Sequence, residues 1–363
     1  MQTKSSTYRL QYLDWLRGVG AIIMLQGHVF DSFLKTDQRT GSAFMISQFL
    51  GGMPPAIFLF LTGVTLSFLM DSTERKGLAP VQRMITVFRR SGYLFLVAYI
   101  FRLQLWLFSR PAPWQDLFKV DILNCMGLAI AVFSVMALFR TAERIRLCAV
   151  LGAAIAFAAP VVSQINTAWL PEMARNYIVP DYRFFAFFPW AAYVAFGMSA
   201  GSVIRTVNSE SIERAMQWTA IVGGALILAC QYFSSLPFSL YEKAEYWLNS
   251  PAQILTKQGV TLIILALAFL WTRGAVDSWS WVRQFGTKSL LVYWVHIELV
   301  YGHWLWWWKT NLNVGQTVMA ATGVIALMLL LATAVTYRSR IKGAMIETFE
   351  ALSGPKPDRA SGD

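Results

Sequence analysis

The chain has 363 residues, of which 56% are hydrophobic and only 14% are charged, and its formal net charge is +11. Soluble globular domains are usually about 25% charged, so this composition excludes a disordered chain and argues against a soluble enzyme. The three cysteines lie in apolar runs without the spacing of a metal site or a disulfide framework, so neither is expected.

Ten apolar segments are long enough to cross a bilayer, whose hydrocarbon core takes about 20 residues of helix. We therefore predict an all-α polytopic membrane bundle of about ten transmembrane helices. The predicted spans are 13–34, 54–70, 88–108, 121–139, 145–165, 185–204, 215–234, 253–271, 285–306 and 314–337. One integral membrane domain is expected over 1–345. A cytoplasmic tail over 346–363 follows and is predicted to be disordered, because its end is rich in Gly, Pro, Ser and Asp.

The lysines and arginines are unevenly distributed between alternate loops. With the N-terminus in the cytoplasm, 20 of the 31 fall on the cytoplasmic side, 8 on the outer side and the rest within spans. Because positive residues favour cytoplasmic loops, this bias predicts that both termini are cytoplasmic, and a bacterial inner membrane is the expected location. The basic charge thus indicates membrane topology and no nucleic-acid partner.

The first predicted span carries four ionisable residues on one face. At 100° per residue, Asp14, Arg17, His28 and Asp31 fall within a stripe about 100° wide. An ionisable group within a span is unfavourable unless it faces protein or water, so each is a functional candidate. His28 is either the candidate base or a structural histidine held by hydrogen bonds, and Asp31 either orients it or caps the helix. Asp14 and Arg17 either pair with each other or serve a ligand entrance.

Two further groups of polar residues lie near span ends. Arg83, Arg89 and Arg90 lie at the predicted cytoplasmic mouth, where guanidinium groups either bind phosphate or act only as positive-inside anchors. Asp121 opens the fourth span at about the depth of His28, where it either caps the helix or contacts a substrate.

The ninth predicted span carries the other two histidines. His296 and His303 share a helix face, while Glu298 points about 160° away from His296. Histidines with Asp and Glu could hold a metal, but no HxxxH or HExxH spacing is present, so no metal is predicted. Trp304 either stacks on a sugar ring or belongs to an interfacial aromatic belt.

Glycines predict where helices approach each other closely. Gly63 lies among small polar residues in the second span, and Gly197 and Gly201 are four residues apart in the sixth. Such small residues let neighbouring helices pack backbone to backbone, so we predict a structural role for them.

Several of these motifs resemble a known family. The opening Arg9-x-x-x-Leu13-Asp14-x-x-Arg17-Gly18, followed by His28, resembles the transmembrane acyltransferase superfamily, and Phe58-Leu-Phe-Leu-Thr-Gly63 looks like its second-helix signature. The segments 187–201 and 289–298 look closest to the branch named for heparan-α-glucosaminide N-acetyltransferase. The resemblance covers about residues 8–305.

The resemblance implies a ten- or eleven-helix enzyme that takes an acetyl or other acyl group from cytoplasmic acyl-CoA and delivers it to a sugar on the far side. It places the catalytic histidine of the acyltransferase-3 branch at His28. In the animal lysosomal enzymes of this family, the position that matches His28 resembles an asparagine, and their candidate histidine follows in the next loop. Here the corresponding loop, residues 35–53, contains no histidine.

We therefore expect a membrane acyltransferase with acyl-CoA as co-substrate, a carbohydrate or glycolipid acceptor, and no permanently bound cofactor. The expected phosphate contacts are Arg17, Arg83, Arg89, Arg90 and Lys288. The candidate catalytic residues are His28, Asp31, His296 and Glu298, and the candidate acceptor contacts are Asp121, His303 and Trp304. His28 would act as a general base or as an acyl carrier. The main alternative is a transporter or flippase for a sugar-bearing lipid, and a membrane scaffold is the third. The oligomeric state is left open.

Overall fold

The computed structural model describes residues 4–108, 113–275 and 279–352. In these ranges the chain forms thirteen α-helices and four short 3-10 segments, and it forms no β-strand apart from two isolated bridges. The helices are α1 (Lys4–Phe33), α2 (Ser42–Gly51), α3 (Pro54–Arg75), α4 (Pro80–Phe108), α5 (Ile122–Phe133), α6 (Thr141–Gln164), α7 (Glu172–Ile178), α8 (Phe187–Thr206), α9 (Ile212–Ser235), α10 (Pro251–Gly274), α11 (Trp281–Thr287), α12 (Ser289–Tyr301) and α13 (Val314–Leu352).

Eight segments of the described chain are long and apolar enough to cross a membrane. They contain α3, α4, α5, α6, α8, α9, α10 and α13, so the chain is an all-α polytopic membrane bundle. The remaining two of the ten predicted spans are α1, which carries the polar stripe, and the ninth span. The ninth span is divided because the backbone at Lys288 (φ −119°, ψ 23°) leaves helical geometry, so α11 and α12 are separate helices.

The helix α1 lies at the centre of the bundle. It packs against α2, α3, α10, α11, α12 and α13, and its apolar residues contribute to both buried hydrophobic clusters. Its contact with α11 depends on glycine. A Cβ atom at Gly18 would overlap the Val282 carbonyl, and one at Gly286 would overlap the Asp14 carbonyl. The central position of α1 turns its polar stripe toward protein instead of lipid.

The helices α3 and α8 pack backbone to backbone. A Cβ atom at Gly63 would overlap the Val194 carbonyl of α8, and a Cβ atom at Gly197 would overlap the Phe60 carbonyl of α3. The prediction that these glycines allow close packing is confirmed, because either helix would have to move to accept a methyl group.

Helical structure extends into two regions predicted as loop or tail. The predicted loop 35–53 contains α2, which packs on α1 through a hydrogen bond from Ser47 Oγ to Gln26 Oε1 (2.9 Å) and another from Gln48 Nε2 to the Gly27 carbonyl (3.1 Å). The last helix, α13, continues through residues 346–352, so this part of the predicted disordered tail is helical; no proline lies between Val314 and Pro355 to end the helix earlier. Residues 353–363 lie outside the described part of the chain.

A cluster of ion pairs joins the end of α3 and the end of α8 to the starts of α4 and α6. Its members are Asp71, Glu74, Arg75, Arg83, Arg144 and Arg205. Glu74 accepts from Arg144 Nη2 at 3.2 Å and lies 3.4 Å from Arg83 Nη1. The Arg144 side chain is 0% exposed, so its charge depends on these partners.

Candidate functional site

A cavity of about 670 Å³ lies between α1, α3, α4, α5 and α12. Its walls are mostly apolar, and the charged residues that line it are Arg17, Arg90, Arg102, Lys119, Asp121 and Arg183. Arg17 and His28 are eleven residues apart on α1, and Arg90 and Arg102 are twelve apart on α4, so each pair spans about 16–18 Å of helix. The cavity therefore joins a basic end, where the charged lining residues are Arg17 and Arg90, to an end of mixed charge at the level of His28 and Arg102, where Asp121 also lines it.

The two helical histidines predicted as candidates meet beside this cavity. His28 lines it, and His28 Nδ1 lies 2.9 Å from His296 Nε2, with the two ring planes 13° apart. His296 is 0% exposed, and its Nδ1 lies 2.7 Å from the carbonyl oxygen of Val292, one turn earlier on α12. The structure thus pairs side chains that are 268 positions apart in the sequence.

Asp31 reaches this pair through a tyrosine. The Tyr301 hydroxyl donates a hydrogen bond of 2.9 Å to Asp31 Oδ2, and the Tyr301 ring packs edge-on against His28 with 5.4 Å between ring centroids. Tyr301 also lines the cavity. The carboxylate of Asp31 therefore acts on the surroundings of His28 through Tyr301.

Asp121 caps α5 and lines the cavity. Its carboxylate accepts from the backbone N–H groups of Leu123 (3.0 Å) and Asn124 (3.1 Å), and it pairs with Arg102 at 3.1 Å. The two interpretations of Asp121 are thus compatible, because a capping carboxylate can also face a ligand at the cavity wall.

Of the five predicted phosphate contacts, two line the cavity and three do not. Arg17 and Arg90 line the cavity; Arg17 pairs with Asp14 at 2.7 Å, and the Arg90 guanidinium lies 5.2 Å from the Tyr93 ring centre. Arg83 does not line the cavity. It is buried and pairs with Glu74 in the ion cluster, so its role there is structural.

The remaining candidate residues lie away from the cavity wall. Arg89 and Lys288 are absent from the residues that line the cavity, as are Glu298, His303 and Trp304. Glu298 is buried on α12, whereas His303 and Trp304 are exposed after the end of that helix. In the described ranges of the chain, no group of three or more His, Cys, Asp or Glu side chains could hold a metal ion.

Other cavity residues were not predicted from the sequence. Tyr293 and Tyr301 line the cavity with Ile297 between them, and their spacing of four residues is the available signal, since it places all three on one helix face.

Arg102, Lys119 and Arg183 lie at the other end from Arg90, and a second cavity of about 290 Å³ shares Lys119 and Arg183. In the loop between α7 and α8, Arg183 donates a hydrogen bond to Asp181, which lowers the pKa of the Asp181 carboxyl below its usual value.

A family model describes the region that contains most of this site. The model for the catalytic region of heparan-α-glucosaminide N-acetyltransferase matches residues 9–237. The chain belongs to this family. A comparison with curated proteins gives no significant match.

Membership of the heparan-α-glucosaminide N-acetyltransferase family, together with the apolar helices, identifies an integral membrane protein of acetyltransferase type. The matched region includes Arg17, His28, Arg90 and Asp121, and it ends before α12. The family model therefore does not reach His296 or Tyr301. The sequence prediction and the structure both place His296 at the site, whereas Tyr301 is placed there by the structure alone.

Proposed function

We propose that this protein transfers an acetyl or short acyl group from cytoplasmic acyl-CoA to an amine or hydroxyl group of a sugar on the opposite side of the membrane. The observation that carries the proposal is the single cavity that joins Arg17 and Arg90 to His28. Family membership supports the acetyltransferase chemistry. The excess of positive residues in alternate loops supports the orientation, with both termini in the cytoplasm of a bacterial inner membrane.

The basic end of the cavity suits the charged part of acyl-CoA. Arginine presents several N–H donors in a planar fork that matches phosphate oxygens, and Arg90 is exposed at this end. The pantetheine arm is long, thin and largely neutral. It would extend between apolar side chains such as Leu61, Leu94 and Met126 and bring the thioester to His28.

The chemistry at His28 requires a proton acceptor. In a direct transfer, the acceptor nitrogen or oxygen attacks the thioester carbon while His28 takes its proton. The carbon–sulfur bond then breaks, and the proton passes to the departing CoA thiolate. A positioned base of this kind contributes about 10²–10⁴-fold. In the alternative route, a nitrogen of His28 attacks the thioester carbon, the carbon–sulfur bond breaks and CoA leaves as the thiolate. The acceptor then attacks the acyl-histidine, the bond between the acyl carbon and His28 breaks, and the acceptor's proton passes through His28 to the CoA thiolate. Both routes place His28 at the reacting carbon.

The acceptor would occupy the end of the cavity near Asp121. Asp121 and Arg102 provide a hydrogen-bond acceptor and donors at the wall, and Lys119 and Arg183 lie at the same end. These groups can bind the hydroxyls of a carbohydrate, either free or carried on a lipid. His303 and Trp304 lie outside the wall, so their predicted acceptor contacts would require a ligand that extends beyond it.

Thermal unfolding of the purified protein in detergent tests the proposal against a transporter or flippase. Acetyl-CoA that binds the folded state at 100 times its dissociation constant stabilises it by about 2.7 kcal/mol. We expect the melting temperature to rise with acetyl-CoA, and to rise less with dephospho-CoA. A transporter for a sugar-bearing lipid would show no shift with either compound.

A second experiment identifies the product. The protein is incubated with labelled acetyl-CoA and a cell-envelope extract, and the labelled products are analysed by mass spectrometry. We expect label on a carbohydrate amine or hydroxyl. Label confined to hydrolysed acetate or to lipid without sugar would contradict the proposed acceptor.

A further inference from the structure

A chain of two hydrogen bonds links the cavity to the backbone of α12. It runs from the Val292 carbonyl through His296 to His28. We propose that His296 is a positioning residue that holds His28 in one tautomer, with His28 Nε2 unprotonated and directed at the cavity. This inference rests on the proposed function, because it specifies which nitrogen of His28 would act as the base.

The hydrogen bond to Val292 fixes the position of the proton on His296. Its Nδ1 lies 2.7 Å from the Val292 carbonyl oxygen, and a carbonyl oxygen can only accept a hydrogen bond, so Nδ1 carries a proton. His296 is fully buried and has no carboxylate among its described hydrogen-bond partners, so the neutral ring is favoured. A neutral imidazole carries one proton, and His296 Nε2 is therefore an acceptor.

The hydrogen bond between the two rings then fixes the position of the proton on His28. Only one of two nitrogens 2.9 Å apart can be the acceptor, so His28 Nδ1 donates its proton to His296 Nε2. The neutral His28 ring then has a lone pair on Nε2. Among the described residues none hydrogen-bonds this nitrogen, and His28 lines the cavity. The tautomer of a histidine is set by the hydrogen bond that its other nitrogen makes.

The arrangement fits the proton movement of the reaction. As the acceptor nitrogen or oxygen attacks the thioester carbon, its proton passes to His28 Nε2, and the acyl carbon–sulfur bond breaks. The same proton then passes to the CoA thiolate, which restores neutral His28. The Nδ1 proton stays hydrogen-bonded to His296 throughout, so the ring keeps its orientation through the cycle. His296 touches neither substrate in this scheme.

Two substitutions at one position test the role of His296. His296→Gln keeps an oxygen that can accept from His28 Nδ1 and an N–H group that can donate to Val292, whereas His296→Leu keeps neither. We expect the Leu variant to lose about 10²-fold in kcat with an unchanged KM for acetyl-CoA, and the Gln variant to stay within about tenfold of the wild type. Equal losses in both variants, or wild-type kcat in the Leu variant, would overturn the inference.

A spectroscopic measurement keeps the test decisive if the Leu variant fails to fold. The chain has only three histidines, so ¹⁵N-histidine NMR of the wild-type protein can be assigned by substituting each in turn. We expect His28 to carry its proton on Nδ1, and to lose this preference in the Leu variant. A proton on His28 Nε2 in the wild type would refute the positioning role.

The two proposals fail separately. Full turnover in His28→Ala would remove His28 from the reaction and with it the catalytic part of the proposed function. An inactive His28→Ala beside a fully active His296→Leu would overturn only the role of His296.

Discussion

Arg17 and His28 line the same cavity from a single helix, about 16 Å apart along α1. One rigid element thus fixes the distance between the basic end of the cavity and the candidate base. Because the donor phosphates would lie at the level of Arg17 and the reacting carbon at the level of His28, substitutions at these two levels should affect different kinetic constants.

Removal of the imidazole tests the role of His28. We expect His28→Ala to lower the rate of labelled acetyl transfer by at least about 10²-fold, because no base would remain to take the proton of the attacking amine or hydroxyl. His303→Ala is the matched control, since His303 is exposed and lies away from the cavity wall, and it should keep normal turnover. Near-normal turnover in the His28 variant, with the same melting temperature as the wild type, would reject the role.

Neighbouring arginines on α4 provide a paired test of donor binding. Arg90 lines the cavity and Arg89 does not, although both are exposed. We expect Arg90→Gln to raise the KM for acetyl-CoA about tenfold, equivalent to ~1.4 kcal/mol, while kcat changes less. Arg89→Gln should leave KM unchanged. If Arg90→Gln also leaves KM unchanged, the two arginines serve topology and not the donor.

Two glycines within helices, one packed against a neighbouring helix and one exposed, test the close packing of α3 and α8. Gly197→Ala would force a methyl group onto the Phe60 carbonyl, so we expect a loss of at least about 2 kcal/mol of stability. Gly92→Ala on α4 meets no atom within 4 Å and should be neutral or stabilising by about 0.5–1 kcal/mol. Thermal unfolding in the same detergent compares them. A similar melting temperature for both variants would show that α3 and α8 are less closely packed than described.

The ion cluster predicts a difference between a carboxylate that pairs with buried arginines and one that pairs with an exposed arginine. Glu74→Gln removes a carboxylate shared by Arg83 and the fully buried Arg144, so we expect a loss of about 3 kcal/mol. Glu213→Gln breaks an ion pair with Arg273 in which both side chains are about half exposed, and it should change stability by less than about 1 kcal/mol. Melting temperatures again provide the measurement. An equal effect of the two substitutions would argue against a structural role for the cluster.

The sequence predicts those features that depend on local periodicity. The common face of Arg17 and His28 follows from 3.6 residues per turn, and both residues line the cavity. The close-packing glycines at Gly63 and Gly197 are also predicted, because a small residue within an apolar helix has a specific packing use. In both cases the information lies within one helix.

Features that depend on tertiary packing could not be predicted in this way. The contact between His28 and His296 joins helices far apart in the chain, and no spacing rule relates them. Arg89 and Arg90 differ by 100° around one helix, so only the position of α4 decides which of them faces the cavity. The same limitation applies to Arg83, whose partner Glu74 comes from another helix.

The glycine contact between α3 and α8 has a consequence for motion. One side of α3 packs against α8 with no room for a Cβ atom between the two backbones. The neighbouring side of α3 lines the cavity with Phe58, Thr62 and Thr65. Across the cavity, α4 carries large apolar side chains that face outward, with no helix behind them at Leu96 and Leu103 in the described structure. Widening the cavity to admit a bulky group would therefore disrupt less packing on the outward face of α4 than on the face of α3 that meets α8.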